Sequence, residues 1–258
     1  MSNLATYPYL VSTLWLIALA SLPVLFLPRQ RYMLLLSGAL ATPLAVYAYQ
    51  HTPWYWTPRR LSDVAPSIED FLFMASMGTL AWFWAVVLGA KRWQARPVLG
   101  ARFACIYGAA WLAGVPASEI ARRWLFQPAD VMYVHVGMLL FFCVLLLWRR
   151  PDAWPLAVCG GLLNGLSYLT FLLIYFPMFP GYLDNWNPQG QLGWEVLGVP
   201  CFEIAWPASF GACWPVFLVY SLDIRRGRVC LVPAGADSAP NAELTLSRPG
   251  AGVHTPMA

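Results

Sequence analysis

Apolar stretches close to 20 residues long recur along the chain, separated by short polar segments. Each is long enough to cross a hydrocarbon core of roughly 30 Å. In lipid every backbone polar group must be bonded internally, so such stretches predict helices. The short alternating segments of a membrane β-barrel do not occur. The pattern predicts spans over residues 9–27, 32–49, 67–88, 97–115, 132–148, 153–176 and 201–222. The expected fold is therefore all-α: a polytopic membrane protein of seven transmembrane helices. Arg102 falls inside the fourth stretch, near enough to its end to snorkel to the interface. The N-terminus lacks the basic region of a cleavable signal peptide, so its first apolar run reads as a retained anchor. From residue 229 to 258 the chain turns to Ala, Pro, Gly and Ser with no period, and predicts a disordered tail.

Composition agrees with the pattern. Hydrophobic residues are 59% of the chain and charged residues 11%, less than half of the charge of a soluble domain. The basic residues are spread over separate loops, which argues against a nucleic-acid partner. They are also unevenly divided. Arg29, Arg31, Lys91, Arg92, Arg96, Arg102, Arg149, Arg150, Arg225, Arg226, Arg228 and Arg248 fall on one side of the predicted bundle. Only Arg59, Arg60, Arg122 and Arg123 fall on the other. The positive-inside rule then puts the N-terminus outside and the C-terminal tail in the cytoplasm. The six cysteines show no paired or metal-ligand spacing, so no metal is expected.

An internal repeat carries the candidate chemistry. The segment before the third predicted helix contains Trp56 and Pro58, then Pro66, Ile68 and Glu69. The segment before the seventh contains Trp186 and Pro188, then Pro200, Phe202 and Glu203. Each copy follows a helical hairpin, so residues 5–90 and 130–225 read as two three-helix repeats. A connector helix over 97–115 makes them parallel. Parallel repeats place a binding site at their interface. Proline and an acid in a first turn is also an ordinary helix start. An ionisable group in the membrane nevertheless costs roughly 2.5–3.5 kcal/mol at the bilayer centre and is a functional-site candidate by default. Glu69, Asp70 and Glu203 are the candidates.

These motifs resemble the membrane-embedded lycopene cyclases, the heterodimeric bacterial type and its fused archaeal and fungal relatives. The resemblance covers residues 5–225 as architecture and is specific at Pro66, Glu69, Asp70, Phe71 and Phe73, then Pro200 and Glu203. The family opens its last repeat helices with Pro-x-Glu-Glu. This chain has one more residue between proline and acid, Glu-Asp in the first copy, and Ile204 in place of the second acid in the other copy.

The resemblance implies a carotenoid cyclase that protonates a polyene end group, without cofactor, in a bacterial plasma membrane. Its partners would be a lipophilic polyene or other isoprenoid, the bilayer, and a homo- or hetero-oligomer. It implies Glu69 as proton donor, Asp70 tuning it, and Glu203 taking the last proton or orienting substrate. Phe73 and Trp206, a turn beyond the acids, are candidate cation stabilisers. Phe202, Trp186 and Asn164 are further candidate substrate contacts, although Asn164 beside Gly160, Gly161 and Gly165 also reads as helix packing. His135 reads as a packing residue. Glu119 with Arg122 and Arg123 reads as an interfacial ion pair. A retinal-binding photoreceptor needs a lysine in its last helix, and the only lysine is Lys91. A non-catalytic transporter or accessory subunit that binds a lipid or isoprenoid remains the alternative.

Overall fold

A computed structural model of the chain describes residues 6–62, 64–88, 93, 99–126, 130–187 and 193–225. The tail over 229–258, Pro188, and the basic residues Lys91, Arg92, Arg96, Arg226, Arg228 and Arg248 lie outside the described residues. The described chain is mostly helical. The helices are α1 (Pro8–Phe26), α2 (Arg31–Ala41), α3 (Ala48–His51), α4 (Ile68–Val86), α5 (Ala101–Ile120), α6 (Val131–Arg149), α7 (Trp154–Met178) and α8 (Phe202–Ser221). A 3-10 turn, Thr42–Tyr47, joins α2 to α3. Two short strands, β1 (Glu195–Val196) and β2 (Val199–Pro200), pair antiparallel before α8.

Among the described residues six helical segments are long and apolar enough to cross a membrane: Pro8–Phe26, Arg31–His51, Ala101–Leu125, Val131–Arg149, Pro151–Met178 and Phe202–Ser221. They leave large apolar side chains such as Leu25, Leu112, Phe141 and Leu162 exposed, the surface a membrane protein turns to lipid rather than water. The predicted third span is α4, 19 residues long with Glu69 and Asp70 in its first turn. Those two acids keep it out of the apolar set, yet it sits against α1, α2, α7 and α8. The predicted connector is displaced. Its helical path continues past Pro116 as far as Leu125. A Glu119–Arg122 bond of 2.7 Å and a Glu119–Arg123 pair brace that extension.

Glycine sets how closely the helices approach. A methyl group on Gly160 of α7 would collide with the Gly211 carbonyl oxygen of α8, and one on Gly211 would collide with Gly160. Gly78 of α4 is similarly held, its would-be methyl 2.7 Å from the Ser37 carbonyl oxygen of α2. Small residues at such crossings let backbones meet, and polar side chains then bond across the contact. Ser37 Oγ–H donates to Gly78 O at 2.5 Å, and Asn164 Nδ2–H donates to Pro207 O at 2.8 Å.

Candidate functional site

The two Trp-x-Pro loops meet. Trp56 and Trp186 form an antiparallel bridge, in which Thr57 N–H donates to Asn185 O and Asn187 N–H donates to Tyr55 O, both at 2.8 Å. Exchanging the two loops returns the same two bonds. The bridge therefore brings together, at one end of the helices, the segments that lead into α4 and α8.

At α4 the local sequence decides which acid is turned inward. Ser67 is the N-cap and Asp70 is the third helical residue, and the two form a reciprocal capping box. Asp70 Oδ2 accepts Ser67 N–H at 2.8 Å, Ser67 Oγ–H at 3.0 Å and Arg60 Nε–H at 3.1 Å. Its Oδ1 accepts Tyr9 O–H at 2.8 Å. Arg60 and Asp70 form an ion pair with side chains only 5% and 4% exposed. Arg60 also lies over the Tyr9 and Trp56 rings, 5.8 and 5.5 Å from their centroids. Asp70 thus accepts four hydrogen bonds, three at Oδ2 and one at Oδ1.

Glu69 is fully buried. Its Oε1 accepts Leu61 N–H at 2.7 Å, and its Oε2 accepts no hydrogen bond among the described residues. It ties down the loop that carries Arg60 and does not line the cavity described next. The expectation that Glu69 and Phe73 share the working face fails by one residue. The capping box turns Asp70 inward, and Asp70, Phe73 and Met74 line the cavity together.

That cavity has a volume of about 760 Å³, within the range of small-molecule sites. Glu203, in the first turn of α8, also lines it. Glu203 Oε1 accepts Tyr55 O–H at 2.6 Å and Trp186 Nε1–H at 2.8 Å. Among the described residues Oε2 makes no hydrogen bond. Burial, then the Glu203 carboxyl beside it, hold the Tyr55 phenol well above its usual range, so Tyr55 remains an O–H donor. Trp56, the counterpart of Trp186, has a buried indole N–H that makes no hydrogen bond among the described residues. The two copies share a motif but use it differently.

Aromatic faces run away from Glu203. Trp206, Phe210, Trp214 and Phe217 stack in turn along α8, with centroids 5.4, 5.6 and 5.6 Å apart. Phe73 of α4 stacks on Trp206 at 6.0 Å and meets Tyr168 of α7 edge-on at 6.2 Å. All six line the cavity, and an alanine and glycine face of α5, including Ala110, Ala113 and Gly114, closes one side. Trp186 lines the cavity as well. Phe202 does not, packing instead edge-on to Tyr133 at 4.7 Å. Asn164 is spent on the α7–α8 contact, also away from the lining.

A second polar group joins His135, which reads from sequence as a packing residue, to His51, which carries no sequence signal. His51, at the end of α3, and His135, in α6, both line the cavity. His135 Nδ1 lies 2.9 Å from His51 Nε2, and His135 Nε2 lies 2.8 Å from Gln50 Oε1. Gln50 Nε2 donates to Ser118 Oγ at 3.1 Å and Glu119 Oε2 at 3.2 Å. The two histidines are 84 positions apart, so no local spacing announces them. Arg60, Tyr9 and Tyr55 are likewise visible only in space; Ser67-x-x-Asp70 alone has a sequence signature, the capping box.

Comparison with protein-family models, curated proteins and solved structures finds no match to the chain.

Proposed function

We propose that the chain is a cofactor-independent cyclase of the lycopene cyclase type, acting on the end group of a linear polyene inside the membrane. The observation that carries the reading is Glu203: a carboxyl group on an aromatic cavity, with Oε1 fixed by two donors and Oε2 left to carry a proton. In this reading Glu203, not Glu69, is the donor. Its O–H bond breaks as a C–H bond forms at the terminal double bond. The resulting cation is attacked by a double bond further along the chain, which closes a six-membered ring. A C–H bond next to the new cation then breaks: its electron pair forms the ring double bond, its proton passes through a base in the cavity to water, and the Glu203 carboxyl is reprotonated from water, so the product is an isomer of the substrate. General acid catalysis of this kind contributes about 10²–10⁴ in rate.

The aromatic ladder supports the same chemistry. Ring faces attract a cation without trapping it, at about 0.5–2 kcal/mol each. Asp70 is held by four donors, three at Oδ2 including Arg60 and one at Oδ1, which weakens it as a nucleophile towards a carbocation. Its role here is to fix the geometry of the cavity mouth. The loop bridge between Trp56 and Trp186 supports two parallel three-helix repeats, α1–α4 and α6–α8, with α5 as the connector and α4 as a seventh membrane helix. The N-terminus and the site would then face the outside.

The test is expression of the full chain in a bacterium that accumulates lycopene, followed by pigment analysis. Monocyclic or bicyclic carotenoids are expected from the unmodified chain and none from Glu203→Gln at equal membrane abundance. If the unmodified chain leaves lycopene linear while retaining it on purification, the non-catalytic isoprenoid-binding reading replaces the enzyme.

A further inference from the structure

The cavity is long, and its two ends differ. Glu203 and Tyr220 both line it and lie near opposite ends of the 20-residue α8. At the rise of an α-helix they stand about 25 Å apart along its axis. That is most of a hydrocarbon core of roughly 30 Å. The carboxyl groups in the lining, Asp70 and Glu203, both belong to the end where the two loops meet. From there the stacked rings of Trp206, Phe210, Trp214 and Phe217 continue along α8. At the far end the Phe217 ring meets Tyr107 of α5 at 6.2 Å and Phe142 of α6 at 6.4 Å. One turn further, Arg102 lies over the Tyr220 ring at 5.6 Å. No carboxyl group lines this far end among the described residues.

We propose that the cavity binds one polyene extended along α8, with the reacting end group at Glu203 and the other end among Tyr107, Phe142 and Phe217, and that Ala110 of α5 is the position where chain length is read. The inference rests on the cyclase reading above and assigns the part of the site that does no chemistry. The two ends cannot exchange roles within one binding event, because only one of them holds an acid. The contacts of α5 place Ala110. Arg102 meets Tyr220 and Tyr107 meets Phe217, so α5 runs antiparallel to α8. Ala110 comes next along α5, between the far end and Glu203, and lines the cavity with a single methyl group. Ring faces on the opposite wall suit a long apolar chain, which gains by burying its surface there. That gain is made equally before and during the reaction, so it acts on binding of the chain and not on the barrier. A large side chain at 110 would cut off the far part of the cavity and leave the acid end open.

The experiment expresses the unmodified chain, Ala110→Trp, Ala110→Leu and Gly108→Trp in two bacterial strains. One strain accumulates lycopene, the other a shorter linear polyene with the same end groups. Rings formed per membrane protein and pigment retained on purification are measured together. The unmodified chain should convert both polyenes. Ala110→Trp should convert lycopene at least tenfold more slowly and the shorter polyene within twofold of the unmodified rate. Ala110→Leu should show the same order with a smaller contrast, which keeps the test decisive if the tryptophan variant fails to fold. Gly108 is on the same helix, has open space where a side chain would go, and lies outside the lining. Tryptophan there should leave both conversions unchanged. Equal losses on the two polyenes at Ala110, or no loss on either, overturn the proposal. If the unmodified chain retains lycopene without closing a ring, the cyclase reading fails alone, and the same contrast in retained pigment decides the length reading. A protein that purifies with acyl lipid and excludes both polyenes overturns both.

Discussion

Two glutamates lie in the first turns of α4 and α8, and only Glu203 reaches the cavity. Sequence alone ranks Glu69 first because it has an acidic neighbour. In the structure Asp70 serves as the capping partner of Ser67 and the counter-ion of Arg60, and Glu69 faces the Leu61 backbone, which is why the proposal moves the donor role to Glu203. Glutamine at 69 retains an oxygen for Leu61 N–H, so Glu69→Gln should keep ring formation within a few-fold of the unmodified rate. Glu203→Gln should lose about 10²–10⁴ of it. Conversion per unit of membrane protein checks the contrast, and equal losses in the two variants would return the donor role to Glu69. Arg60 gives a second prediction at this scale. Removing one partner of a buried pair costs about 3–5 kcal/mol because the other charge stays buried. Arg60→Met should therefore lower the unfolding midpoint in detergent sharply, and Arg60→Met with Asp70→Asn should recover part of the loss. A double variant no better than the single would show that Arg60 contributes by packing over Tyr9 and Trp56 instead.

Hydropathy made the elements legible wherever a helix is apolar. Predicted spans 9–27, 132–148, 153–176 and 201–222 lie within two residues of α1, α6, α7 and α8 at each end. The connector expected over 97–115 lies further along the chain: α5 begins at Ala101 and the helical path runs past Pro116 to Leu125. Asn164 and its neighbouring glycines were readable as packing from their spacing; the partner strip on α8 was not, since Gly211 sits between Pro207 and Pro215 and looks like a helix breaker. The close α7–α8 crossing yields a prediction of its own. Valine at 160 would drive two methyl groups towards the Gly211 carbonyl, and overpacking costs typically 1–3 kcal/mol, sometimes more. Gly137 of α6 has open space where its methyl group would go, and alanine there should stabilise the helix by about 0.5–1 kcal/mol. Thermal unfolding of Gly160→Val and Gly137→Ala should move in opposite directions. A Gly160→Val protein as stable as the parent would mean that the two helices can separate without loss.

At the scale of the whole molecule, the proposed orientation rests on twelve basic residues against four. The four exceptions have structural reasons to be where they are. Arg60 is buried against Asp70, and Arg122 and Arg123 brace Glu119. Arg59 lies over the Tyr7 ring at 5.1 Å. On the opposite side Arg150 and Arg102 are paired with Asp152 and Asp223, but the sorting rule counts Lys and Arg near span ends and gives acids little weight. The asymmetry therefore supports the proposed orientation, in which Glu203, the loop bridge and the cavity would lie on the outer side. Labelling with a membrane-impermeant maleimide tests this in a cysteine-free variant carrying one new cysteine. Asp184→Cys lies in the exposed part of the loop after α7, and Asp152→Cys lies in the exposed turn between α6 and α7. In intact cells Asp184→Cys should label and Asp152→Cys should not until the membrane is permeabilised. The reverse pattern would turn the molecule over and put the proton donor on the cytoplasmic side. Labelling of both positions in intact cells would mean that α7 does not cross, and the two-repeat arrangement would fall with it.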